Sequence, residues 1–251
     1  MTKLLELKSV SEIYQTISSE TLSISNISFK VDEGEFVSLL GPSGCGKTTI
    51  LSIIAGLLKP TSGEVVLDGK QVTKSGTNIG YMFQRDNLFE WLSVEKNIML
   101  GPNINHSKNC LSPEKIKKLI KTYGLAGFEK SKPNELSGGM RQRASLIRTL
   151  ALDPKLLLLD EPFSALDYQT RLSVQNDVHK IIKSEGKTAM LVTHDISEAL
   201  AMSDKIIMLS HRPGQVKRII CLNFDKSLSP LERRSDKKFN EYFEMLWRDL
   251  Q

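Results

Sequence analysis

Phe36-Val37-Ser38-Leu39-Leu40 runs straight into Gly41-Pro42-Ser43-Gly44-Cys45-Gly46-Lys47-Thr48, and this junction restricts the fold more than any other stretch of the chain. A short apolar run, a glycine loop closed by lysine and threonine, and helix-like spacing over residues 48–58 give strand, loop and helix in that order. Glycines at 41, 44 and 46 let main-chain N–H groups converge on phosphate oxygens with no Cβ in the way. Lys47 adds a mobile positive point charge for the β- and γ-phosphates, and the Thr48 hydroxyl can ligate Mg²⁺. A chance glycine-rich turn would lack the strand before and the helix after. The expected core is an α/β layer that binds a nucleoside triphosphate on a phosphate loop.

Around this core, residues 22–31 alternate like an antiparallel strand, and residues 63–67 followed by Asp68-Gly69 give a strand and a tight turn. The N-terminal third thus reads as an antiparallel β layer, with a hairpin extension at Ser18-Ser19-Glu20. From Trp91 to about Leu150 the strand signal fades. Residues 112–123 and 139–150 read there as helices, with polar breaks at 124–127 and 131–134. Strand-like segments at 156–159, 189–193 and 206–209 then alternate with helical ones, which predicts a mainly parallel sheet with helices on both faces.

Composition narrows the function. With 251 residues, 25% charged and 40% hydrophobic, the chain can bury a sizeable core and is ordinary for a globular protein. Its net charge of +5 is spread along the chain and nearly matched by acids, too mild to point to nucleic acid. Cys45, Cys110 and Cys221 are odd in number, far apart and without metal-ligand spacing, so they read as reduced thiols. Apolar runs such as residues 156–159 fall far short of the roughly 20 residues that span a bilayer, and residues 1–11 lack the apolar core of a secretory leader. A role in transport would rest on separate membrane subunits.

Four further segments carry chemistry. Leu136-Ser137-Gly138-Gly139-Met140-Arg141-Gln142-Arg143 sets Ser-Gly-Gly before a helix-forming run, where unpaired N–H donors and the helix dipole favour an anion. One phosphate loop can hold one phosphate chain, so a second anion-cradling segment points to two copies sharing each nucleotide. Leu156-Leu157-Leu158-Leu159-Asp160-Glu161 sets two carboxylates at the end of a buried strand, and alternation gives them different faces and different tasks. His194 follows Leu191-Val192-Thr193 at another strand tip, and Gln84 follows Gly80-Tyr81-Met82-Phe83. Alone, the histidine would read as a satisfied strand terminus and the glutamine as a surface residue.

In this order the motifs resemble the ATP-binding subunit of ABC transporters, whose signature loop is Leu-Ser-Gly-Gly, and the resemblance covers essentially the whole chain. It implies a P-loop NTPase core with an N-terminal antiparallel β layer and a helical insert at about residues 87–152, within one ABC ATPase domain over 1–251. ATP and Mg²⁺ are the implied cofactors, and ATP hydrolysis the implied activity. Nucleotide contacts carry over to Tyr14, the aromatic that stacks on adenine, and to Gly41, Pro42, Ser43, Gly44, Cys45, Gly46, Lys47, Thr48 and Thr49. They also carry over to Asp160, Ser137, Gly138, Gly139 and to Asp167, the last in the loop that meets the opposite subunit. Glu161 would polarise the attacking water, His194 would contact the γ-phosphate and orient that water, and Gln84 would reach both water and metal. The implied Mg²⁺ ligands are Thr48, Gln84 and Asp160, the aspartate through water.

Residues 85–93 carry Leu88, Phe89, Trp91 and Leu92, an apolar density that reads either as buried core or as a docking groove; the resemblance favours a groove for a permease helix. Gly80-Tyr81-Met82-Phe83-Gln84, Glu161-Pro162-Phe163-Ser164-Ala165-Leu166-Asp167 and Ser210-His211-Arg212-Pro213-Gly214 are similar to the nitrate/sulfonate/taurine importer branch, which also includes thiamine-precursor and riboflavin-type systems. Glu90 departs from that branch, where proline is expected. The implied partners are a second copy, two transmembrane permease subunits docking near residues 85–93 and an extracytoplasmic solute-binding protein, with no nucleic acid. The implied place is the cytoplasmic face of the cell membrane, held there by the permease. An exporter ATPase would share every hydrolytic motif, whereas a non-transport ATPase usually has tandem cassettes or coiled coils. At the C-terminus, Phe239, Phe243, Leu246 and Leu250 predict an amphipathic helix over about 237–251, docking on its own domain or, through Trp247, on a partner. His106, His179 and His211 read as surface or packing residues.

Overall fold

The computed structural model describes residues 2–15, 19–76, 78–105 and 110–250, so His106 and Ser18 lie outside the described residues. The chain forms two compact units, one from Met1–Gly76 with Gly186–Gln251 and the other from Thr77–Glu185.

In the first unit, β1 (Lys3–Gln15), β2 (Glu20–Asp32), β4 (Ser62–Leu67) and β5 (Lys70–Gln71) form an antiparallel sheet of order β2-β1-β4-β5. The register of β1 shifts between Leu7 and Val10, where Ser9 has φ 49°, so its side chains do not keep a clean period of two. A second sheet carries the nucleotide motifs. There β3 (Phe36–Leu40) runs parallel to β8 (Thr188–Thr193) on one side and to β9 (Lys205–Leu209) on the other, and β10 (Val216–Cys221) adds antiparallel to β9. Every residue of β3 and β8 is buried, which parallel strands covered on both faces require. The helix after the glycine loop, α1 (Lys47–Ile54), stops short of residue 58. Gly56 turns the chain there at φ 69°, and a Cβ on it would lie 2.4 Å from the Lys74 backbone.

Three helices complete this unit: α6 (Ile196–Met202), α7 (Pro230–Arg233) and α8 (Lys237–Leu250). The α8 stripe docks on its own unit, with Phe239 and Leu246 buried beside Leu40, Leu200 and Met208, while Trp247 is exposed and stacks on Phe243. Leu246→Ala is therefore expected to destabilise the isolated chain by about 3 kcal/mol in urea unfolding, the usual cost of emptying a buried leucine site. An unchanged unfolding midpoint would mean that the stripe serves a partner instead.

The second unit pairs β6 (Ile79–Met82) parallel with β7 (Leu156–Asp160) and adds α2 (Val94–Asn105), α3 (Pro113–Thr122), α4 (Gly138–Leu150) and α5 (Tyr168–Ser184). Ser112 and Tyr123, the ends of the expected 112–123 helix, are the caps of α3. The sequence pattern does not announce α2, because Gly101-Pro102 interrupts it, yet both residues are helical. Buried Val94 and Ile98 anchor α2 in a cluster with Leu119, Leu136, Ala144 and Ile147. Buried Asn97 donates to the carbonyls of Phe89, Leu92 and Ser93 at 3.1–3.2 Å and so fastens the preceding loop to this helix. Among the described residues, no helix is long and apolar enough to cross a membrane.

Candidate functional site

The phosphate loop leaves the C-terminal end of β3, the end of a parallel strand at which open α/β sheets present their loops to ligands. Gly44 at φ 77° and Gly46 at φ 99° hold left-handed conformations that a side chain would strain, and the space where a Gly44 Cβ would point is open for 4 Å. The N-cap of α1 is Gly46, which brings no capping side chain, and the dipole of a helix start favours an anion there. The Lys47 ammonium donates to the carbonyls of Gly41 at 2.7 Å and Pro42 at 2.8 Å, which suspends one positive charge across the loop. Cys45 is buried, and burial pushes its thiol pKa up despite the nearby Lys47 charge, so it packs as a neutral side chain.

Tyr14 and the phosphate loop are linked by hydroxyls. The Tyr14 hydroxyl lies 3.2 Å from Thr49 Oγ1, and Ser23 Oγ lies 3.2 Å from the same atom. Tyr14 is 42% exposed, and stacking needs only a π face. His194 stands between the end of β8 and Asp195, which caps α6 by accepting from Glu198 N–H at 3.1 Å. His211 lines a cavity of about 330 Å³ with Pro42, Lys217 and Asp249, while His179 is buried in α5.

In the second unit, β7 delivers Asp160 and Glu161. Asp160 is 8% exposed and accepts from the Tyr81 hydroxyl at 3.1 Å. Glu161 has φ 44°, an uncommon backbone state for a residue with a side chain and one that recurs at functional sites. Ser164 holds that turn, its N–H and hydroxyl both donating to the Glu161 carbonyl, at 3.2 and 3.0 Å. Gln84 Nε2 sits 3.4 Å from both Glu161 Oε2 and Ser164 Oγ, so the amide and the carboxylate are already neighbours.

The Ser-Gly-Gly signature begins α4. Ser137 caps it by accepting from Met140 N–H at 3.3 Å. The glycines follow from close packing: a Cβ on Gly138 would lie 3.1 Å from Leu166, and one on Gly139 3.0 Å from Val174. Asp167 caps α5 by accepting from Thr170 N–H at 3.0 Å, and hydrogen bonds from the Thr170 side chain and then its backbone lower the Asp167 carboxyl pKa. The signature thus packs against the Asp167 loop.

Residues 85–93 divide between the two readings open in the sequence. Leu88 is buried in the core of the unit, whereas Phe89 is 37% and Trp91 72% exposed. Beside them lies a groove of about 350 Å³ lined by Phe83, Phe89, Leu100, Ile104 and Leu152. The charged residues that hold this segment are not singled out by pattern alone. Arg141, in α4, binds Asp86 at 2.8 and 3.2 Å and Glu90 at 2.8 Å, and Arg148 donates to the Asp86 and Asn87 carbonyls at 2.6 Å. Burial pushes the Asp86 carboxyl up, but its hydrogen bonds, led by that from Arg141, outweigh this and hold it below its ordinary pKa. Glu90 therefore forms an ionic tie to the signature helix.

The donor set suits a triphosphate and a hard cation. In the first unit Lys47 can meet phosphate oxygens and Thr48 offers a hydroxyl oxygen, and in the second unit Gln84 and Asp160 offer oxygen ligands of the kind magnesium takes. Among the described residues no group of three or more His, Cys, Asp or Glu could hold a metal ion.

The model of the family described as ABC transporter matches residues 24–164. The chain belongs to the ABC transporter family. It is 47% identical over 96% of its length to the ABC transporter ATP-binding protein YtlC of Bacillus subtilis, covering 93% of that protein. It is also 39% identical to the aliphatic sulfonates import ATP-binding protein SsuB of Bacillus thuringiensis, across 93% of this cassette and 91% of SsuB. To the taurine import ATP-binding protein TauB of Roseobacter denitrificans it is 40% identical, across 88% and 82%. Among solved structures, the dimeric post-hydrolysis state of the cassette MJ0796 bound to ADP and Pi matches at TM-score 0.75 and 35% identity, covering 88% of this chain and all of that one. The fold is that of an ABC ATPase, and the cassette is an ATP hydrolase.

Proposed function

We propose that this cassette energises an importer, working as a dimer in which each nucleotide lies between the phosphate loop of one copy and Ser137, Gly138 and Gly139 of the other. The observation that carries this reading is the presence of two helix starts of the anion-binding kind on one chain: that of α1, which opens from the left-handed Gly46, and that of α4, which opens with Ser137, Gly138 and Gly139. A two-fold pair satisfies both at once. The dimeric MJ0796 cassette supports the pairing, and the import proteins SsuB and TauB support the direction of transport.

In this reading the whole chain is one ABC ATPase domain with its insert at about 87–152. Tyr14 stacks on adenine, and residues 41–49 cradle the phosphates, with Lys47 leaving its two carbonyls for phosphate oxygens. Mg²⁺, held by Thr48, Gln84 and Asp160, supplies neutralisation of phosphate charge. Glu161 takes a proton from the attacking water, His194 orients that water, and Gln84 reports its position to the docking segment. Asp167 faces the second copy. Two permease subunits dock near residues 85–93, where Phe89 lines the apolar groove and exposed Trp91 packs against Phe89. They hold the cassette at the cytoplasmic face of the membrane, and a solute-binding protein completes the system. The solute is a small anion such as a sulfonate, taurine or nitrate, or a thiamine-precursor-like heterocycle.

Ser137→Arg tests the shared nucleotide, since it sets a bulky cation where a partner's phosphates would lie. Steady-state phosphate release is expected to fall at least roughly 100-fold, the scale for losing preorganised donors to a developing charge. Hydrolysis at the wild-type rate would remove the signature loop from the site.

A further inference from the structure

The loop that joins β9 to β10 lies behind the phosphate loop. Gly214 N–H donates to the Ser23 carbonyl at 2.9 Å, and Ser25 N–H donates to the Gly214 carbonyl at 2.9 Å, so Ile24 and Gly214 form a short parallel bridge. A Cβ at Gly214 would lie 2.1 Å from the Cys45 carbonyl oxygen and 3.4 Å from Ile24 Cγ2. Its φ is outside the left-handed region, so glycine is required here by close approach and not by conformation. The same Ile24 methyl lies 2.3 Å from where a Cβ on Gly46 would sit. Ile24 and Gly214 therefore form a rigid back wall against the Cys45-Gly46 peptide.

The Cys45 carbonyl and the Gly46 N–H belong to one peptide plane, and in a planar trans peptide they point in opposite directions. A Cys45 carbonyl lodged against Gly214 turns the Gly46 N–H away from that wall. The geometry points to Gly214 as a positioning residue for ATP, one that aims the Gly46 N–H at the phosphates through the Cys45 carbonyl. An added methyl would force the carbonyl aside and rotate the N–H with it. This inference rests on the reading of residues 41–48 as the phosphate cradle.

The test is Gly214→Ala in the full chain, read by equilibrium binding of Mg-ATP in competition with a fluorescent ATP analogue and by kcat at saturating ATP. The Kd is expected to rise roughly tenfold or more, the worth of one hydrogen bond to a charged group, with kcat kept within about threefold. Gly76→Ala, where a Cβ would meet nothing within 4 Å, is expected to leave both unchanged. Should Gly214→Ala fail to fold, Ile24→Ala carries the test, because it frees the same peptide without a clash and is expected to raise Kd roughly three- to tenfold. A wild-type Kd in the folded variant, or a loss confined to kcat, overturns the inference. Lys47→Ala separates the two readings. Binding lost in Lys47→Ala but kept in Gly214→Ala rejects the role of Gly214 alone, whereas binding kept in both rejects the phosphate cradle as well.

Discussion

Glu161→Gln is expected to bind Mg-ATP with near wild-type affinity while turnover falls by roughly two to four orders of magnitude, the contribution of a positioned general base. The amide keeps the shape of the carboxylate and can still meet Gln84, whose Nε2 lies 3.4 Å from Glu161 Oε2. What it loses is the capacity to take a proton. The left-handed backbone at φ 44° depends on the Ser164 bonds to the Glu161 carbonyl, which the substitution does not touch, so the turn survives. Phosphate release measured beside equilibrium ATP binding separates the two effects. Turnover at the wild-type rate would exclude Glu161 as the base.

Lys47→Ala is expected to act earlier, on binding itself. Lys47 is 6% exposed and its ammonium spans the carbonyls of Gly41 and Pro42, so its removal takes away a charge that serves ground state and transition state alike. A hydrogen bond between charged partners contributes about 2–3 kcal/mol, which corresponds to a rise in the Kd for Mg-ATP of roughly 30- to 150-fold. Lys47→Arg is expected to restore little, because a planar guanidinium does not fit where a compact ammonium meets two carbonyls of one loop. A titration showing unchanged affinity for Lys47→Ala would place the triphosphate elsewhere on the chain.

The phosphate loop, the signature and the carboxylate pair were legible because each depends on neighbours in sequence, where glycine, serine and acid spacing is visible directly. The buried strands β3, β7 and β8 were legible for a similar reason, since short, mostly apolar runs have few other uses in a chain of this composition. Helix α2 was hidden by Gly101-Pro102, whose local preference is overridden by the burial of Val94 and Ile98. The tie from Arg141 to Asp86 and Glu90 spans about half a hundred residues of sequence, and charge alone does not reveal which acid an arginine will meet. Gly214 is the extreme case. Its glycine requirement comes from Cys45, far away in the chain, and no local turn signal could disclose it.

The dimer that shares its nucleotides is tested most directly by the molar mass of Glu161→Gln in solution, measured by light scattering with and without Mg-ATP. The account predicts a shift from one chain to two on adding Mg-ATP, with two nucleotides retained per pair and the shift abolished by adding Ser137→Arg. A single chain that binds one ATP and keeps its mass would contradict it.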